Sequence, residues 1–148
     1  MPINPDYREL FRTFFEEKVE YLIVGAYAVT YYAEPRYTKD LDILIRPTLE
    51  NATKTLAALK LFEAPLTDIK AEDLTDPELV YQIGVEPNRI DVLMSITGIA
   101  FEEAWQHRVQ STYGGVPIYL ISREDLITAK KASGRPQDLL DLERLLER

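Results

Sequence analysis

RYTKDLDILI, residues 36–45, is the stretch on which the reading of this chain turns. Leu41, Ile43, Leu44 and Ile45 form an apolar run suited to a buried strand, and Pro47 ends it. Asp40 and Asp42 stand at its mouth. Alternate residues of a strand share a face, so the two carboxylates point to one side while Leu41 and Ile43 turn into the core. Like charges placed there repel and lose hydration unless a cation joins them. The spacing asks for basic neighbours or for a metal, and Mg²⁺, which takes hard oxygen ligands and keeps several waters, suits such a pair.

Upstream, YLIVG (21–25) is a short apolar run ending at Gly25, and AYAVTYYA follows it. This reads as strand, turn and helix, with Pro35 closing the helix. Backbone N–H groups and the helix dipole at such a turn favour an anion, for which a triphosphate is the obvious candidate. Arg36, Thr38 and Lys39 add positive charge and a hydroxyl just before the carboxylates. Downstream, RIDVLM (89–94) carries a further acid, Asp91, among Ile90, Val92 and Leu93. If that strand lies beside the first, Asp40, Asp42 and Asp91 form a triad. Acids around metal ions serve in-line phosphoryl or nucleotidyl transfer, the metals stabilising attacking and leaving oxygens.

Elsewhere the pattern is that of packing. Tyr7, Leu10, Phe11, Phe14 and Phe15 recur at helical spacing in 5–19, where Pro5 and Asp6 suit a helix start. Residues 48–62 read as a helix capped by Thr48, and 63–78 as a loop with at most one helical turn. LVYQIGV (79–85) pairs with RIDVLM across the turn EPN. AFEEAWQHR is a short helix in which Trp105 and His107 pack, and VPIYLI (116–121) is a strand after Gly114-Gly115. Two helices follow, broken at Gly134, with Ser122 capping the first and Pro136 in the first turn of the second. The expected fold class is α+β, with a mixed, largely antiparallel sheet of four or five strands and helices packed on it. One domain is expected over 1–148: an N-terminal helix (1–20), a catalytic core (21–95), and a strand with C-terminal helices (96–148).

The chain has no cysteine, which removes disulfides and thiolate metal sites. Its one histidine, His107, leaves no histidine-rich metal site and no serine–histidine–aspartate triad. No apolar stretch approaches about 18 residues and no basic-then-apolar leader opens the chain, so a cytoplasmic protein without a membrane span is the expectation. A net charge of −8 argues against a surface that coats nucleic acid. It is compatible with a small polyanion held through a divalent cation.

Jointly, YLIVGAYAVTYYAEPRYTKDLDILI (21–45), RIDVLM (89–94) and LISREDLITAKKASGRPQDLLDL (120–142) resemble the nucleotidyltransferase superfamily with the DNA-polymerase-β-type fold. Within it they resemble the small prokaryotic group related to AbiEii-type toxins and minimal nucleotidyltransferases. The first segment is the most specific, and the resemblance spans most of the chain. It implies that Asp40 and Asp42 bind the catalytic and nucleotide-associated metals, two Mg²⁺ ions. It implies that Asp91 ligates the catalytic metal and helps deprotonate the attacking hydroxyl. The turn at Gly25 and Ala26 would hold the β- and γ-phosphates. Lys130 or Arg135 would reach the phosphates, and Asp138 would orient one of them. The superfamily usually has Gly-Gly or Gly-Ser at this turn; Ala26 offers only its backbone N–H, a difference of about 1 kcal/mol if one net hydrogen bond is lost.

The activity so implied is Mg²⁺-dependent transfer of a nucleoside monophosphate from an NTP to a hydroxyl acceptor, releasing pyrophosphate. The acceptor stays open between an RNA 3′ end, a protein side chain and a small molecule such as an aminoglycoside. The resemblance favours RNA or protein, in a toxin–antitoxin or phage-defence setting with a cognate partner. RNA would need Arg123, Lys130, Lys131 and Arg135 to form a local basic patch. No oligomeric state follows from the sequence. Two rival readings stand beside this one. In the first, the chain is a non-catalytic, antitoxin-like binding module presenting Tyr27, Tyr31 and Tyr32, residues that packing of their helix on the sheet would also explain. In the second, Arg36 and Lys39 neutralise Asp40 and Asp42 with no ligand at all. The structural counterparts for the other acids are a pair of Asp91 with Arg89, and Asp138 and Asp141 complementing a helix dipole.

Overall fold

Apolar side chains every third or fourth residue form helix α1 (Pro5–Glu16), which buries Tyr7, Leu10, Phe11 and Phe14. The side chain of Asn4 caps it by accepting from the N–H groups of Asp6 and Tyr7. These facts belong to the computed structural model of the chain, which describes residues 3–33, 40–85 and 88–147. Arg36, Thr38 and Lys39, expected beside the phosphate path, lie outside the described residues, as does Pro35. Phe15, grouped above with the packing residues, is exposed. It lies off the buried stripe, and the helix ends directly after it, with Lys18 at positive φ turning the chain.

Strand β1 (Tyr21–Val24) is buried throughout and runs straight into α2 (Gly25–Tyr32). Strand β2 (Asp40–Ile45) follows, then α3 (Leu49–Leu61), capped by Thr48 accepting from the N–H of Asn51. A single 3₁₀ turn (Ala71–Thr75) precedes β3 (Val80–Ile83) and β4 (Arg89–Leu93). Helix α4 (Phe101–Gln106), the hairpin β5 (Val109–Tyr113) and β6 (Val116–Leu120), and helices α5 (Arg123–Ser133) and α6 (Pro136–Leu146) complete the described chain.

The sheet has six strands in the order β3-β4-β2-β1-β6-β5. Adjacent pairs β1–β2, β3–β4 and β5–β6 are antiparallel, and β2–β4 and β1–β6 are parallel. The fold is α+β with a mixed sheet, as expected, but with one strand more than the four or five read from sequence. The extra strand is β5. Its VQSTY carries three consecutive polar residues, Gln110, Ser111 and Thr112, and becomes a strand by pairing with β6 across Gly114 and Gly115, both at positive φ.

Among the described residues, the central strands carry the core: Leu22, Ile23, Leu41, Ile43, Leu44 and Ile45 are sealed from solvent with Phe11, Phe14 and Leu59. Burial on this scale holds β1, β2 and β4 rigidly, at roughly 1.5–3 kcal/mol for each large apolar side chain. What matters for the site is that β1 ends, and β2 and β4 begin, at one edge of this rigid block.

A second fixed body borders that edge. Gly134, in the left-handed conformation, breaks α5 from α6. The two helices are then tied by Lys130, whose ammonium lies 3.2 Å from Asp138 Oδ1 and 3.0 Å from Asp141 Oδ2, all three side chains buried. Removing one partner of a buried ion cluster leaves charge without compensation. Lys130→Met is therefore expected to destabilise the protein by about 3–5 kcal/mol in urea unfolding. A variant as stable as the parent would show that the corner does not depend on this cluster.

Candidate active site

Strand register brings the acids together. Parallel pairing of β2 with β4 sets Asp42 opposite Asp91 and Asp40 opposite Arg89. Each pair is two residues from the other on its own strand, so all four side chains emerge on one face. Oxygens of Asp40, Asp42 and Asp91 lie within 4.8 Å of one another. The triad expected from sequence is thus a geometric fact, and it depends on a pairing that the sequence alone did not specify.

Arg89 sits in the middle of it. Its Nη2 donates to Asp40 Oδ2 at 2.6 Å and to Asp91 Oδ2 at 3.1 Å, and its Nε donates to Asp91 Oδ1 at 3.1 Å. The pairing of Asp91 with Arg89, raised above as the structural alternative, therefore forms, and it extends to Asp40. Tyr7, from α1, donates to the Arg89 carbonyl at 3.4 Å. Neither residue was assigned to the site from sequence; Arg89, two positions before Asp91, was the one with a legible signal.

Asp42 has the most strained electrostatics. Among the described residues no hydrogen bond or ion pair reaches its carboxylate, and burial together with Asp40 and Asp91 pushes its pKa up to about 7, against the opposing pull of Lys130 and Arg89. Burial raises Asp91 as well, although Arg89 offsets part of that. Three clustered carboxylates, one of them without a partner among the described residues, form a donor set that fits a hard divalent cation.

Gly25 closes the other side. It starts α2 at φ +68°, and a Cβ placed on it would stand 2.4 Å from Asp42 Oδ2. Both the backbone conformation and the approach of the carboxylate require glycine there. The preceding residue, Val24, is the cap of α2 and gives no side-chain hydrogen bond. The first N–H groups of the helix, including those of Gly25 and Ala26, thus begin beside the acids with no side chain among the described residues capping them.

Lys130 and Arg135 reach the site from the α5–α6 corner. With Gly25, Asp42, Leu126 and Asp138 they line a cavity of about 100 Å³. A more open recess of about 350 Å³ continues from it, lined by Ile96, Thr97, Ala132, Ser133 and Arg135. Lys130 is occupied by Asp138 and Asp141, so it contributes field rather than a free arm. Arg135 is largely exposed, its Nε donating to Asp138 Oδ2 at 2.8 Å. Asp138 therefore ties Lys130 to Arg135, and it also accepts from the Arg135 N–H at 3.1 Å in the first turn of α6. Asp141, weighed above as a dipole partner, lies in mid-helix and pairs with Lys130 instead.

Comparison with known proteins gives concordant findings. The family model described as nucleotidyltransferase of unknown function (DUF6036) matches residues 6–146. Sequence comparison with curated proteins gives no match. Among solved structures, the lincosamide antibiotic adenylyltransferase LnuA in its lincomycin-bound form superposes with a TM-score of 0.60 at 16% identity, over 99% of this chain and 98% of that one. A candidate nucleotidyltransferase from Thermotoga maritima gives 0.66 at 16% identity, over 99% and 97%. ANT(2″)-Ia in complex with adenylyl-2″-tobramycin gives 0.62 at 12% identity, over 95% and 86%. Likeness at these identities is likeness of fold.

A pH dependence follows from Asp42. Its folded pKa lies above its unfolded value of 3.8, so the stability it contributes is complete below that value and is lost as pH rises through about 7. Asp42→Asn removes that loss. In metal-free buffer the variant is expected to exceed the parent by roughly 4 kcal/mol at about pH 8, with the difference closing towards about pH 4. Urea unfolding across this range checks it; a difference that does not change with pH would contradict the assignment of strain to Asp42.

Proposed function

The chain belongs to the DUF6036 family of nucleotidyltransferases, and from that premise we propose that it transfers a nucleoside monophosphate from an NTP to a hydroxyl acceptor and releases pyrophosphate. The observation that carries this reading is the register of β2 on β4, which sets Asp42 opposite Asp91 beside the start of α2 at Gly25. Asp40, Asp42 and Asp91 would hold Mg²⁺, in the two-ion form expected above. Bound there, the metal supplies charge stabilisation to the attacking and leaving oxygens.

The rest is the work of side chains and backbone. The N–H groups of Gly25 and Ala26 face the triphosphate with the positive end of α2 behind them. Arg135 is placed to close over the phosphates from the corner. Asp91, with its raised pKa, accepts the proton of the attacking hydroxyl at a carboxylate oxygen. Stretch 21–95 would then be the catalytic core, with 96–148 forming the opposite wall of the cleft.

We place the acceptor among small hydroxyl-bearing molecules. The recess beyond Arg135 is open and lined by Thr97 and Ser133, and two of the structural neighbours are named as adenylyltransferases or hold an adenylylated antibiotic. An RNA acceptor is less well served. Of the four basic residues a patch would need, Lys130 is buried in an ion cluster, Arg135 is bound to Asp138, and Arg123 donates to the Leu145 carbonyl. A protein partner, as acceptor or as the cognate of a toxin–antitoxin pair, has one observation in its favour. Helix α6 buries two aspartates yet exposes Leu139, Leu140 and Leu146.

Incubation with each NTP labelled at the α-phosphate, Mg²⁺ and a panel of aminoglycoside, lincosamide, RNA and protein acceptors tests the proposal. Label is expected on one acceptor class, dependent on Mg²⁺, and Asp42→Asn is expected to lower transfer by at least about 100-fold while keeping a cooperative unfolding transition. Full activity in that variant would contradict the assignment.

A further inference from the structure

Two cations cannot own the same carboxylate oxygens, and the acids of this site already have one. The Arg89 guanidinium bridges Asp40 and Asp91 through three hydrogen bonds of 2.6–3.1 Å, two of them from the single atom Nη2. The cross-strand register that opposes Asp40 to Arg89 and Asp42 to Asp91 produces this arrangement. Backbone pairing therefore fixes the root of the side chain among the acids, and conformational accident does not explain it. The side chain itself keeps 28% of its surface in contact with solvent, so its head can leave the acids without unpacking the core.

We infer that Arg89 is the resident counter-cation of the carboxylate cluster, a positioning residue that weakens loading of a divalent ion until a nucleotide arrives. The inference rests on the metal-site reading above and adds a coupling to it. A divalent ion that takes oxygens of Asp40 and Asp91 must displace the guanidinium, or else sit beside a like charge at close range. Metal alone faces that opposition in full. A triphosphate entering at the start of α2 changes it, because its oxygens offer the released guanidinium a bidentate anionic partner close by. Metal and nucleotide then favour each other's binding, and by linkage each must raise the other's affinity by the same factor.

Titration with Mn²⁺, followed by electron paramagnetic resonance of the free ion, with and without a non-hydrolysable NTP analogue, tests this in the wild type, Arg89→Gln and Arg89→Lys. The wild type is expected to bind Mn²⁺ weakly alone and at least about tenfold more tightly with the analogue. Arg89→Gln is expected to bind Mn²⁺ alone about tenfold more tightly than the wild type and to lose most of the gain from nucleotide. Arg89→Lys, which keeps the charge without the fork, is expected to fall between the wild type and Arg89→Gln in both respects. Equal or weaker Mn²⁺ binding by Arg89→Gln, with the wild type still binding the ion, overturns the role of Arg89 and leaves the metal site standing. Absence of Mn²⁺ binding in all three proteins, with and without the analogue, overturns both readings.

Discussion

The structure depends on a repulsion that the fold refuses to relieve. Parallel pairing of β2 with β4 places Asp42 directly opposite Asp91, and the apolar residues between and behind them are too well buried to let either strand slip. A shift of one residue would turn Leu41 and Ile43 out to solvent and the acids into the core. The core thus holds the carboxylates close, and their partial burial weakens the screening by water. The outcome is a site that is electrostatically incomplete by construction, with Asp42 shifted towards neutrality and Arg89 drawn onto its neighbours.

Gly25 and the α5–α6 corner are built around that centre. A side chain at position 25 would collide with Asp42, so the glycine serves the approach of helix to carboxylate as much as the turn itself. At the corner α6 turns Asp138 and Asp141 inward to Lys130 beside the buried Leu142 and Leu145, while Leu139, Leu140 and Leu146 face out. This arrangement fixes the base from which Arg135 extends over the cavity. The site therefore combines a negative floor, the positive end of a helix and a basic wall, each anchored by a different packing constraint.

Much of this was legible in the sequence because it is local. Alternation in DLDILI and RIDVLM marks strands and assigns their acids to a face, and Gly25 between an apolar run and a helical pattern marks the strand-to-helix turn. What was not legible depends on pairings distant in the chain. Whether Asp91 neighbours Asp42, and whether Arg89 reaches Asp40 across the sheet, is decided by register, which no segment carries alone. Strand β5 was missed because none of its residues is buried and only backbone pairing with β6 makes it a strand. The role given to Lys130 came from the resemblance of its segment to the superfamily; its ion pairs with Asp138 and Asp141 cross a helix break and leave no periodic trace. The AbiEii-like affiliation suggested by the motifs is finer than the family match, which stops at nucleotidyltransferases of the DUF6036 type.

The central claim is that these carboxylates exist to hold a divalent cation against a triphosphate. The most direct measurement is a crystal structure grown with Mn²⁺ and a non-hydrolysable NTP analogue, read by anomalous scattering at the manganese edge. Manganese between Asp40, Asp42 and Asp91, with phosphate oxygens at the Gly25 and Ala26 N–H groups, is the expected result. A nucleotide bound elsewhere, with no manganese among the acids and Arg89 still bridging Asp40 and Asp91, would contradict it.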